Sequence, residues 1–401
     1  MSDLLDLSFT HSRFHSLKMI AVIADDLTGA AELAGIGLTY GLIVELAMSV
    51  NPQSTPDLLV IATDARSVSE QEAVLEMTEV SKALQAMKPE LMYKKIDSVL
   101  RGHVIAEVQA QLAVLGLPKA LLVPANPALG RTLVNGHYYV HGKLIHQTHF
   151  AQDPEFPIKE SDVQKRFDTK SEQVMVLAHQ ADFPERGIII GEVEKEADLH
   201  IWASRLDSQM VVGGGSNFFR AILDALTLEK QLVSATGVVG GHKLYVCGTA
   251  FGESISLVKK ALNDGHAISY MPNALTSSCK LAMVELEKWV AEIVNYFRQN
   301  RQVIIAIDPT FVDNSRSSAI HLRIRMAMAV QEVMKRVRIH ELIIEGGSTA
   351  SAVLRQIGIS RLVPVQELAP GVVRSEAIEQ QELYITMKPG SYSWPTELWT
   401  F

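Results

Sequence analysis

Asp25 and Asp26 stand side by side between a short apolar run, residues 19–24, and a helical pattern that continues through Tyr40. Two neighbouring carboxylates at the point where a strand hands over to a helix repel each other. A metal, a cationic side chain or a substrate hydroxyl would relieve that repulsion. In α/β proteins ligands are gripped at this position, outside the carboxyl ends of strands. The structural alternative is a loop Asp followed by a helix N-cap, a role that suits both Asp26 and Thr28. Adjacent residues leaving a strand tend to point apart, so the two carboxylates are expected to divide their roles. Asp26 lies closer to the helix N-terminus, whose field keeps a carboxylate ionised. It is therefore the favoured proton acceptor, with Asp25 second.

The segment from Tyr93 to His103 repeats the pattern, with Lys94, Lys95, Asp97, Arg101 and His103 between a strand and a helix. Alternation along a strand sends Lys94 and Lys95 to opposite faces, and Lys95 is favoured for the site. Arg101 offers a planar fork suited to a carboxylate or a phosphate. Cations at a helix N-terminus oppose the dipole, so a site that needs positive charge would explain their placement. Otherwise the run is a solvated charge cluster. A third polar strand end carries Asp64 and Arg66, which either pair with each other or join the same pocket. Cations for a carboxylate and Asp residues for hydroxyls describe a pocket for a small hydroxylated anion. Arg131 and His137, on either side of an Asn135-Gly136 turn signal, are candidates for substrate or lid contacts.

In the second half the apolar stretch ending at Glu345 runs into Gly346, Gly347, Ser348 and Thr349. A strand, a glycine pair and hydroxyl residues opening a helix form an anion site, because backbone N–H groups can approach phosphate there. Thr249 and Phe251, after the strand ending at Cys247, and Gly390, after Lys388-Pro389, are its candidate partners. There is no Walker A loop and no dinucleotide glycine fingerprint after a strand. Asp25-Asp26 lacks the Asp-x-Asp of a phosphatase nucleophile, since Ala24 stands in its place.

The elements that must position these residues follow from the apolar pattern. Strands are expected at residues 19–24, 42–47, 58–63, 91–96, 120–124, 174–178, 199–203 and 210–213. Helices are expected at 28–40, 69–87, 103–115 and 218–226. The loop-rich stretch 124–156 is either a functional loop system or a small antiparallel insertion. Residues 227–241 read as a linker. Alternation then restarts, with strands at 244–247, 268–271, 303–307, 341–344, 362–365 and 383–387, and helices at 253–262, 279–297, 317–337 and 349–356. The fold class is α/β: two domains, each a mainly parallel sheet flanked by helices, with a loop-rich insertion in the first.

A chain of 401 residues with 47% hydrophobic and 20% charged residues is ordinary for a globular protein. The net charge of −8 argues against a general nucleic-acid or membrane-surface binder. Two cysteines, Cys247 and Cys279, without metal-ligand spacing fit a reducing cytoplasm. Residues 1–18 read as a loose extension and not as a secretory signal.

Taken together, the segments 24–30, 63–67, 94–102, 124–136, 150–154, 346–349 and 388–390 resemble the four-carbon acid sugar kinase family. The match extends over nearly all of the chain after residue 18. The resemblance implies an acid-sugar-binding domain over 19–230 and a nucleotide-binding domain over 231–401. It implies ATP and Mg²⁺ as cofactors and threonate, erythronate or 3-oxo-tetronate phosphorylated at the 4-hydroxyl. It places Asp25, Asp64, Arg66, Lys95, Asp97, Arg101 and Arg131 on the substrate. Thr249, Phe251, Gly346, Gly347, Ser348, Thr349 and Gly390 fall on the nucleotide, and the metal ligands are left open. The expected partners are small molecules, with neither nucleic acid nor membrane, and a homodimer is allowed for. Departures fall in the ATP half: a loop after Cys247 poor in Ser, Ser348 where many members carry Glu, and Lys388-Pro389-Gly390 for Lys-Ser-Gly. The alternative function is a non-catalytic acid-sugar sensor with a weakened nucleotide domain.

Overall fold

The computed structural model describes residues 19–153, 155–167, 174–226, 228, 239–248, 252–275, 282–308, 316–390 and 392–399. The expected extension at 1–18, most of the linker, Thr249, Phe251 and the start of the helix expected at 279 lie outside the described residues. The chain divides into two compact units, Met1–Gln231 and Leu232–Phe401.

The first unit runs β1 (Ile20–Ala24), α1 (Leu27–Thr39), β2 (Val44–Ala47), β3 (Leu58–Ala62), α2 (Glu70–Met87), β4 (Leu91–Lys95), α3 (Val104–Leu115) and β5 (Lys119–Val123). It continues with β6 (Arg131–Val134), β7 (His137–Val140), β8 (Lys143–Leu144), α4 (Val163–Phe167), β9 (Val174–Leu177), β10 (Gly187–Gly191), α5 (Glu196–Ala203), β11 (Met210–Gly214) and α6 (Ser216–Ala225). Its main sheet is parallel, in the order β2-β3-β1-β4-β11-β5-β10-β9. β1 and β3 are buried at every position. That is why they read as continuous apolar runs, since both faces of a parallel sheet are covered. Helices α1 and α6 pack together, as do α2 and α3. Chain connections diverge on either side of β1 and β4, so a topological switch point opens there. The 124–156 stretch resolves as the antiparallel sheet β6-β7-β8 flanked by short 3-10 turns.

Local chemistry sets the helix ends. Ser69 and Glu72 form a reciprocal capping box at the start of α2. The strand expected at 199–203 is instead the last part of α5. The Asp198 carboxylate accepts from the N–H groups of Glu194 and Lys195, at 2.9 and 3.1 Å, and fixes a helix start. In the run Leu199–Ala203, Leu199 and Trp202 face the core while His200 is exposed. The strand at this point of the sheet is β10, whose closing Gly191 has to be small: a Cβ there would lie 2.7 Å from the Trp202 ring.

The second unit comprises β12 (His242–Cys247), α7 (Gly252–Asn263), β13 (Ile268–Tyr270), α8 (Ala282–Phe297), β14 (Gln302–Ala306), α9 (Arg316–Met334), β15 (Ile339–Glu345) and α10 (Gly347–Ile357). It ends with β16 (Arg361–Ala369), β17 (Val372–Ala377) and β18 (Tyr384–Lys388). Its strands are ordered β13-β14-β12-β15-β18-β17-β16, parallel from β13 to β18 and antiparallel beyond. The sequence pattern missed β17, whose Arg374 and Glu376 interrupt its apolar character. Among the described residues no helix is long and apolar enough to cross a membrane.

Gly213 and Gly214 end β11 with almost no room beside them: a Cβ on Gly214 would lie 2.3 Å from the Val123 carbonyl oxygen. Gly214→Ala is expected to lower the stability of the first unit by about 1–3 kcal/mol or more through overpacking. Urea denaturation should show a reduced midpoint with an unchanged slope.

Candidate functional site

Three adjacent strand ends of the first unit bring the polar segments together. Ala24 at the end of β1 is in register with Ala62 of β3 and with Lys95 of β4. Asp25 and Asp26, the turn holding Asp64 and Arg66, and the segment Ile96–Arg101 therefore leave the same edge of the sheet. Arg66 is the centre. Its backbone N–H donates to the Asp25 carbonyl at 3.2 Å. Its Nε and Nη2 donate to Asp25 Oδ2 at 2.9 and 2.8 Å, and Nη2 reaches Asp26 Oδ1 at 3.2 Å. Its Nη1 lies 3.7 Å from Asp97 Oδ1. The two Asp carboxylates thus do not point apart as expected from their adjacency: one guanidinium holds both.

Asp26 carries the capping role as well. It accepts from Gly29 N at 3.2 Å and from the Thr28 hydroxyl at 2.7 Å. Burial pushes its carboxyl up, but the charges of Arg66 and Lys95 and the Thr28 hydrogen bond outweigh this and leave it below the usual range. Gly29 has to be glycine here, since a Cβ would stand 2.5 Å from Asp26 Oδ1 and 3.1 Å from Lys95 Nζ.

Lys94 and Lys95 separate as strand alternation requires. Lys94 is buried against Glu107 of α3, Nζ to Oε2 2.7 Å. Lys95 turns toward Asp26, with Nζ donating to the Ile96 carbonyl at 2.9 Å.

Arg101 is already committed to two carboxylates. Its Nε and Nη2 donate to Asp97 at 3.0 and 2.8 Å, and its Nη1 donates to Asp153 Oδ2 at 2.8 Å. Asp97 Oδ2 also accepts from the N–H groups of Val99 and Arg101. Burial raises the Asp97 carboxyl, yet Arg101 and Arg66 together hold it well below the usual carboxylate range. Arg131 of β6 differs. It donates to the Ser98 hydroxyl at 2.5 Å and sits over the Phe150 ring at 5.6 Å, with Arg101 at 5.3 Å from the same ring. Among the described residues no carboxylate lies within 4.0 Å of Arg131 or Lys95.

Asp64 stands at the head of the 3-10 turn in the left-handed region, φ 56°, and Arg66 spends its guanidinium on the other three Asp residues. His137 is not brought in. It sits at the exposed hairpin turn beside the Asn135 carbonyl, at the opposite end of the β6-β7 ladder from Arg131. Sequence reasoning gave no site role to Ser98, Phe150 and Asp153, although they lie in the segments 94–102 and 150–154, and it missed Tyr138, whose hydroxyl donates to the Ser98 carbonyl. It also missed Arg166, which donates to the Val99 and Leu100 carbonyls and supports the loop from below.

In the second unit the ends of β12, β15 and β18 lie side by side, with Cys247 paired to Glu345 and Glu345 to Lys388. Gly346 has φ 90° and precedes α10 with no side-chain cap of its own at the helix N-terminus. Gly248 packs on Thr349, where a Cβ would meet Oγ1 at 2.3 Å. The Gly346 N–H donates to the Lys388 carbonyl at 2.9 Å, joining the loops that carry Gly347 and Gly390.

A family model described as a sugar-binding N-terminal domain matches residues 20–222, and one described as a nucleotide-binding C-terminal domain matches residues 246–392. The chain is 25% identical to a 3-oxo-tetronate kinase of Actinobacillus succinogenes, over 93% of this chain and 96% of that one. It is 25% identical to a D-threonate kinase of Salmonella typhimurium, over 94% and 95% of the two chains. A solved Haemophilus influenzae protein shares the fold, with a TM-score of 0.68 at 19% identity and coverage of 94% and 97%.

The depressed Asp97 carboxyl links the site to stability. Its contribution is complete above the ordinary Asp value of about 3.9 and is lost as pH falls through the lower folded value. Asp97→Asn weakens a shared partner of two half-buried guanidinium groups and is expected to cost about 1–3 kcal/mol at neutral pH. Denaturant melts at pH 7 and pH 3 should show the variant's deficit shrinking in acid.

Proposed function

Because the chain belongs to the four-carbon acid sugar kinase family, we propose that it transfers the γ-phosphoryl group of ATP to the 4-hydroxyl of threonate, erythronate or 3-oxo-tetronate. The observation that carries this reading is the uneven pairing of charges in the first unit. Asp25, Asp26 and Asp97 share Arg66, Arg101 is spent on Asp97 and Asp153, and Lys95 and Arg131 remain for an incoming anion. A sugar acid presents one carboxylate and several hydroxyls, which match two available cations and a rim of carboxylate acceptors.

In this reading Arg131 binds the substrate carboxylate, exchanging its bond to Ser98 for a charge-assisted one. Phe150 keeps the Arg131 guanidinium beside that of Arg101. Asp26 accepts the proton of the attacking hydroxyl as its oxygen bonds to the γ-phosphorus and the bond to the departing ADP oxygen breaks. Lys95, beside Asp26, offsets negative charge building on the phosphoryl oxygens. Phosphoryl transfer needs little covalent help from the protein, so positioning and charge neutralisation supply most of the rate. Gly347, Ser348 and Thr349 cradle the nucleotide phosphates through the backbone N–H groups at the N-terminus of α10, and Gly346 and Gly390, with no side chains, leave the phosphates room to approach. ATP enters as its Mg²⁺ complex. Among the described residues no group of three or more His, Cys, Asp or Glu side chains is placed to hold a metal. Mg²⁺ carried in with ATP would offset the phosphate charge during transfer.

An ADP-release assay across the stereoisomers of these acids tests the reading and separates a kinase from an acid sensor. ADP should appear only with a four-carbon acid, and turnover with a longer sugar or a nucleoside alone would refute the assignment. Arg131→Ala should raise the KM for the acid about 10- to 100-fold, the worth of a charge-assisted hydrogen bond, with the KM for ATP nearly unchanged. Asp26→Asn keeps an acceptor for Gly29 N and hence the cap, while kcat should fall by ~10²-fold or more. A kcat within a few-fold of wild type would remove Asp26 from proton transfer.

A further inference from the structure

The second unit holds a buried charge cluster that the proposed chemistry does not use. Glu345 closes β15 and Lys388 closes β18, and both side chains are fully buried. Lys388 Nζ lies 2.7 Å from Glu345 Oε1, donates to the Pro389 carbonyl at 2.9 Å and to the Tyr392 carbonyl, and sits 5.1 Å from the centre of the Trp394 ring. Ser254 of α7 donates its hydroxyl to the same Glu345 oxygen. One ion pair therefore ties the ends of two strands to α7, one residue before the glycine pair that opens α10.

A buried ion pair is weak evidence for stability, since well-packed apolar residues often do as well. Its position is more telling. A carboxylate immediately before Gly346 opposes any anion at the α10 N-terminus, cancelling the field that makes such a terminus attractive. Lys388 is the counter-charge. Its ammonium is closed in by two carbonyls, a carboxylate and an indole face, so its donors are used within the protein.

We propose that Lys388 is a positioning residue that masks the Glu345 charge beneath the phosphate-binding glycines and holds their loops together, without touching the phosphate itself. This rests on the reading of the second unit as the nucleotide site. Once Glu345 is made neutral, the fully buried Lys388 has no counter-charge and desolvation drives it to the neutral amine, so its further loss should then cost little. A lysine that bound phosphate directly would be missed equally in both backgrounds.

The test is calorimetric titration of ADP with Mg²⁺ into wild type, K388M, E345Q and the double variant E345Q/K388M, with thermal melts alongside. K388M should bind about tenfold or more weakly, the scale of a charge at a partly buried helix terminus. The double variant should bind within about threefold of E345Q. The KM for the acid should not move in any of them. A folded K388M that binds like wild type overturns the proposal, and so does a tenfold loss between E345Q and the double variant. If K388M does not fold, that second comparison decides alone. Wild type failing to bind ADP would instead remove the nucleotide assignment.

Discussion

One guanidinium makes the first unit's site possible. Asp25, Asp26 and Asp97 leave two adjacent strands at the same edge, and all three carboxylates reach Arg66. Two like charges about 4 Å apart cost roughly 4 kcal/mol at an effective dielectric constant of 20. Without Arg66 at least one of the three would take up a proton or swing away. With it, helped by Arg101 at Asp97 and by Lys95 at Asp26, both carboxyls are held below their usual range despite burial. The remaining geometry follows. Asp26 stays charged while it caps α1, Asp97 stays charged while it fixes Arg101, and Arg101 in turn reaches Asp153 on the loop after β8.

Both units arrange their first four strands alike. The second strand of each lies outermost, the third returns beside the first, and the fourth takes the first strand's other side. Each arrangement opens a switch point at the carboxyl edge, and each edge is furnished differently. The first unit places long charged side chains there, which suits a ligand with a carboxylate and hydroxyls. The second places glycines, with Gly248 and Gly346 bringing backbone against the start of α10. That suits phosphates, whose oxygens are met by backbone N–H groups. The shared connectivity left no repeat in the sequence, because topology constrains where strands end and not which residues end them.

Much of this was legible from local pattern. Apolar runs ending in polar clusters marked β1, β3, β4, β12, β15 and β18, because buried parallel strands admit few polar residues until they emerge. Lys94 and Lys95 could be told apart because strand alternation is a strict rule. Other features depend on distant partners. Asp25 and Asp26 share one cation because the turn after β3 presents Arg66 to both, which their own spacing does not encode. Asp153 and Phe150 join the site from a loop some fifty residues beyond Arg101, in a stretch with no regular period. The α5 helix misread as a strand because Leu199–Ala203 is short and apolar, and the deciding feature was the Asp198 side chain turned back onto its own N-terminus.

The same pairings explain how an acidic chain can hold an anion site. Counted as residue types, the first-unit motifs look strongly basic: Arg66, Lys94, Lys95, Arg101 and Arg131. Placed in space, Lys94 is neutralised in the core by Glu107, and Arg66 and Arg101 are neutralised at the edge by four aspartates. The cations left without a carboxylate partner among the described residues are Lys95, on a strand end, and Arg131, on the antiparallel insertion, and the proposed reading gives these two to the ligand. In the proposed reading the carboxylates that absorb the other cations also serve as hydroxyl acceptors. Which charges are left over after internal pairing is a property of the fold that composition does not reveal.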